Sequence, residues 1–197
     1  MKPEIDAYLK RIEKRICFLK ELHKEHKEEA LTLCCCYIDA FASKEYSESD
    51  ETAVNFCSML EKYFQPELCT IHPKQLKDIL SNNGDFDECF SSYAEILDDL
   101  SETCSKEDMV SKLSHLTNNK QEQWLTNYMY KGSIAYIAYK RIRCGLVHNM
   151  SGPEIEFDKI RFNGNPIPRL GFNTFYKALT KMFEDYKNKS ISQNEFI

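Results

Sequence analysis

Glycine and proline are scarce, six of each in 197 residues. A fold made of many short strands needs more of the residues that break and turn a chain. Long apolar runs are missing as well: no stretch approaches the roughly 20 residues that cross a bilayer, so no membrane association is expected. Positive charge is not in excess, since 26 Lys and Arg stand against 31 Asp and Glu, giving a net charge of −5 and a pI near 5.6. This argues against a protein that coats nucleic acid through a broad basic surface, and any such contact must be local. Nine cysteines are present, but nowhere in the Cys-x-x-Cys spacing of a zinc site. Paired carboxylates and His/Cys ligand spacings do not stand out either, so a metal hydrolase is a poor reading and neither metal nor cofactor is expected. The opening residues are charged rather than signal-like, which points to a soluble protein in a reducing, cytoplasmic compartment with free thiols.

What the chain does have is helical periodicity. Tyr8, Leu9, Ile12, Ile16 and Leu19 recur at steps of three and four, predicting an amphipathic helix that begins just after Pro3. The polar run 23–29 either loops or continues as an exposed turn. Residues 30–42 follow, apolar nearly all round, and are expected to form the most buried helix. Cys34, Cys35 and Cys36 read as small core residues, because neighbours on a helix point about 100° apart. Asp39 lies within this apolar stretch, where a lone carboxylate is expensive. It either orients Arg143 or another motif residue, or makes an internal salt bridge or polar helix edge. Further helices are expected over residues 51–63, 71–80 and 86–100, with another opened by Ser105 and Asp108 in capping-box spacing. A long helix over residues 121–146 then carries Gly132 at mid-length, where a close backbone approach is expected. Residues 155–170 alternate in places and turn at Asn163-Gly164-Asn165, predicting a small β-hairpin. A final helix spans about 173–186, and residues 190–197 read as a frayed tail. The length suits a single domain over 1–197.

The stretch with chemical character is Tyr136-Ile137-Ala138-Tyr139-Lys140-Arg141-Ile142-Arg143-Cys144-Gly145-Leu146-Val147-His148-Asn149. Arg143 and His148 are five residues apart, and an unbroken α-helix would turn their side chains about 140° from each other. If the helix ends near Gly145, the imidazole can swing back toward the guanidinium, both facing solvent. Arginine is a permanently charged fork matched to phosphate oxygens, and histidine exchanges a proton near neutral pH. The plainer reading makes both residues cations that finish a helix and favour its negative end.

An Arg, four residues and a His at a helix end, in an otherwise helical chain, resembles the HEPN domain family, and Arg-Cys-Gly-Leu-Val-His is closest in wording to prokaryotic members. The resemblance implies an all-α, HEPN-like helical bundle with the hairpin inserted before the C-terminal helix. It also implies a homodimeric, metal-independent endoribonuclease with Arg143 and His148 as the catalytic pair. Cys144 stands where the family often has a polar residue, and Met150 where the toxin branch has tyrosine. Tyr136, Lys140, Arg141 and Asn149 are candidates for RNA contact: the cations for flanking phosphates, the tyrosine for stacking on an unpaired base. An antitoxin or other defence-system partner belongs to the same expectation. The alternative is a non-catalytic helical interaction module that binds a nucleotide, a nucleic acid or a partner protein at the same place.

Overall fold

The computed structural model describes residues 2–48, 51–64, 66–149, 154–157 and 159–196. The helices are α1 (Pro3–Glu25), α2 (Lys27–Glu45), α3 (Thr52–Tyr63), α4 (Pro73–Leu80), α5 (Phe90–Asp99), α6 (Lys106–Leu113), α7 (Asn119–Tyr128), α8 (Ile134–Ile137), α9 (Cys144–Asn149) and α10 (Phe172–Gln193). A π-helical turn, Ala138–Arg143, links α8 to α9. Strands β1 (Arg161–Phe162) and β2 (Asn165–Pro166) pair antiparallel. The described residues are thus mostly helical, with a small hairpin. It divides into two compact units, the first Met1–Phe64, Tyr139–Ile155 and Arg169–Ile197, the second Gln65–Ala138 and Glu156–Pro168.

In the first unit α2 is the central element, packed on α1, α3, α9 and α10. Pro3 starts α1 at a position whose N–H would have no helical acceptor, so the missing donor costs nothing there. His26 both ends α1 and precedes α2, so the polar run carries a sharp break and no loop. Ala30, Leu31, Cys34, Cys35, Ile38, Phe41 and Ala42 are buried. Burial is not complete around this helix: Leu33 is 38 % exposed, and Cys36 and Ala40 are exposed. An apolar sequence on all sides therefore sits in a packing environment that covers only part of it. All nine cysteines are free, and burial pushes the Cys34, Cys35 and Cys57 thiols well above the usual range, which makes them poor nucleophiles. The last helix runs further than its hydrophobic pattern predicts. Ser190 is buried, α10 continues to Gln193, and Asn194 ends it in the left-handed conformation while accepting from the Lys2 amide at 3.0 Å.

The second unit packs α4 to α7 around Leu76, Leu80, Phe86, Tyr93, Leu97, Met109 and Leu125. Its helix starts follow the sequence closely. His72 Nδ1 accepts from the Gln75 amide at 3.2 Å, Ser105 accepts from the Asp108 amide at 3.0 Å, and Asn118 with Gln121 forms a capping box. His72 is structural, as its place before a proline suggests. The hairpin turns on Asn163 and Gly164, both at positive φ (49° and 76°), as a two-residue primed turn demands. Its strands are shorter than expected, two residues each, and Ile155 meets Leu170 only as an isolated bridge.

The expected long helix over 121–146 is interrupted. After α7 the chain tightens into a 3₁₀ turn (Met129–Gly132), and Ser133 caps α8 by accepting from the Tyr136 amide at 3.1 Å. The close approach at Gly132 is real: a Cβ there would lie 3.2 Å from Ile71 Cγ2 and 3.3 Å from Leu76 Cβ, and its carbonyl accepts from the His72 amide at 2.8 Å. Contact comes from an α4 flank and the extended Ile71-His72 segment, and not from a helix crossing.

Candidate active site

Arg143 is the last residue of the π-helical turn and His148 lies in α9. A π turn holds one residue more than an α turn needs, and such insertions occur often where a side chain must be re-aimed. The helix does not end at Gly145; α9 runs through it to Asn149. The two side chains meet all the same, with Arg143 Nη1 3.1 Å from His148 Nε2. The length of the arginine bridges the angular gap, and no chain reversal is required.

Asp39 on α2 fixes the arginine. Nε of Arg143 donates to Asp39 Oδ2 at 2.6 Å, and Nη2 lies 2.5 Å from the same oxygen. The side chains are only 15 % and 16 % exposed, so Arg143 is not the solvent-facing cation that its place near a helix end suggests. Oδ1 of Asp39 is buried with no hydrogen-bond partner among the described residues. Burial pushes this carboxyl above its ordinary value, and the Arg143 hydrogen bonds oppose the shift only in part. The two readings of Asp39 thus converge: it is an internal ion pair, and the pair orients the motif arginine.

A guanidinium only donates. In its contact with Arg143, Nε2 of His148 is therefore the acceptor, and a neutral ring accepting there holds its proton at Nδ1. Two residues outside the candidate set complete the surroundings. The Arg143 guanidinium lies over the Tyr139 ring at 5.4 Å, and Nη1 is 3.9 Å from Cys144 Sγ. Burial pushes the Tyr139 phenol up to about 12, so it stays protonated. Its signal in the sequence was its place four residues before Arg143, one helical turn away.

The other candidates are distributed unevenly. Lys140 and Arg141 are exposed on the π-helical turn, in the same unit as Arg143 and His148. Tyr136 belongs to the second unit, half-buried and edge-on to Tyr130 at 5.5 Å. Asn149 closes α9; its side chain, and the whole of Met150, lie outside the described residues. Among the described residues no group of three or more His, Cys, Asp or Glu side chains converges as a metal site would, and no helix is long and apolar enough to cross a membrane. No family model, curated protein or solved structure matches the chain.

Proposed function

We propose that this chain is a metal-independent endoribonuclease of HEPN type, with Arg143 and His148 as its catalytic pair. The observation that carries the reading is the 3.1 Å contact between Arg143 Nη1 and His148 Nε2, made while Asp39 holds the other edge of the guanidinium. A phosphate entering at this contact takes the Nη1 donor and releases Nε2. Nε2 then accepts the proton of the neighbouring 2′-hydroxyl, whose oxygen attacks phosphorus. The bond from phosphorus to the 5′-oxygen breaks, that oxygen gains a proton, and a 2′,3′-cyclic phosphate and a 5′-hydroxyl remain. The guanidinium supports the charge gathering on the phosphate oxygens. One imidazole cannot give and take a proton at the same instant, so a second copy of the motif across a two-fold dimer supplies the acid.

The test is incubation of the protein with mixed single-stranded RNA in chelator, beside His148→Ala. His148 is exposed, so its loss leaves the fold intact. Cleavage is expected to fall by roughly 10²–10⁴-fold, and wild-type products should carry the cyclic phosphate. RNA left whole by the wild type, or cut equally by the variant, refutes the proposal. The commitment of two Arg143 nitrogens to Asp39 favours the second reading, a non-catalytic interaction module, and that outcome would select it.

A further inference from the structure

On α1 of the first unit, Ala7, Arg11, Lys14 and Phe18 fall within about 60° of one another around the helix. Beside them, across a groove of about 470 Å³, α2 contributes Leu33 and Tyr37. Phe18 is 56 % exposed and Leu33 38 % exposed, large apolar groups that a finished surface would normally cover. Lys10 and Arg15 flank the groove as well. Lys10 is paired with Asp6 at 2.7 Å and Arg11 lies over the Tyr8 ring at 5.4 Å. Lys14 and Arg15 have no ion pair, hydrogen bond or ring contact among the described residues. Glu13, the nearest acid in sequence, is drawn to Lys187 at 3.1 Å. The result is an apolar floor edged by uncompensated positive charge on a protein whose net charge is −5.

We propose that this groove docks an amphipathic helix of a protein partner, one with an apolar face edged by Asp and Glu. An apolar groove between helices accepts side chains repeating at i, i+3, i+4 and i+7, and acidic flanks on the incoming helix meet Lys14 and Arg15. Two other occupants fit less well. A second copy packed two-fold on this groove would set one basic strip against another. A nucleic-acid strand would find Phe18 and Tyr37 to stack on, but the aliphatic Leu33 and Ala7 between the two helices suit the apolar side chains of a helix better than a run of bases. The proposal is independent of RNA cleavage, because it uses neither Arg143 nor His148.

The test measures binding to the full chain of a labelled synthetic helix with Leu at i, i+3, i+4 and i+7 and Glu on both flanks. A counterpart with Lys for Glu and a single-stranded oligouridylate run beside it. The acidic helix is expected to bind about tenfold or more tightly than its basic counterpart and to weaken as salt rises. Lys14→Glu with Arg15→Glu, and separately Phe18→Ser, should each weaken it about tenfold, while Lys181→Glu, on exposed α10 surface, should not. All the changed residues are exposed, and unchanged thermal melts check that each variant is folded. Equal binding of the two peptides, or variants without effect, overturns the proposal. So does oligouridylate binding that alone is lost in these variants, or self-association abolished by Phe18→Ser.

Discussion

Arg143 is held by Asp39 on one edge and touches His148 with the other, so it needs the planar fork as well as the charge. Arg143→Lys keeps a cation but offers one nitrogen where two directions must be served. RNA cleavage is expected to fall by roughly tenfold or more, with stability less affected than in Arg143→Ala. The alanine variant strands a part-buried carboxylate, at a cost of about 1–3 kcal/mol, measurable by urea unfolding. Asp39 gives a test with a definite sign. Its folded-state pKa is raised above the ordinary 3.8, so the folded protein binds its proton more tightly than the unfolded chain does. Stability from this group is full below the ordinary value and is lost as pH climbs through the raised one. The stability of wild type relative to Asp39→Asn should therefore fall across that window and be flat on either side. A difference that rises with pH in urea melts would refute the assignment. Asp39 was visible in the sequence as a carboxylate among apolar neighbours. Arg143 was one of the partners it was expected to orient, but the pairing could not be decided from sequence against a plain internal salt bridge, because a contact spanning more than a hundred residues leaves no local mark.

At the level of elements, the starts of α1, α4, α6 and α7 were readable because each is made by local chemistry. A proline at the first turn, or a side chain accepting from an amide two or three residues on, needs no distant partner. The break before α8 was missed, although Gly132-Ser133 carries its signal: a residue free of a side chain followed by a helix cap. Apolar periodicity continues across the break and masks it. The π-helical turn was not legible either, because the apolar periodicity runs on across it. Gly132→Ala tests the reading of the break. The added methyl would press on Ile71 Cγ2 at 3.2 Å and Leu76 Cβ at 3.3 Å, so a loss of about 1–3 kcal/mol is expected in urea unfolding. A mid-helix glycine in open space would give the opposite sign, because alanine favours a helix.

Across the described residues, helical content and the small hairpin followed from local patterns in the sequence, whereas the two units did not, since each is assembled from segments distant in the chain. The proposed chemistry requires two copies. Sedimentation equilibrium should find a dimer, and mixing inactive His148→Ala with wild type should depress cleavage below the value expected from dilution alone. A monomer that cleaves at full rate would remove the second imidazole from the scheme.

The discontinuity of the first unit also sets an order in time. A ribosome makes α2, with Asp39, early; Arg143 and His148 follow much later, and α10, which closes over α2, comes after both. The growing chain therefore holds Asp39, Arg143 and His148 before α10 has packed on the helix that carries Asp39. A polypeptide lacking α10 should hold α2 and its Asp39 less firmly, and any cleavage that depends on the Asp39–Arg143 pair should be weaker in it than in the full chain.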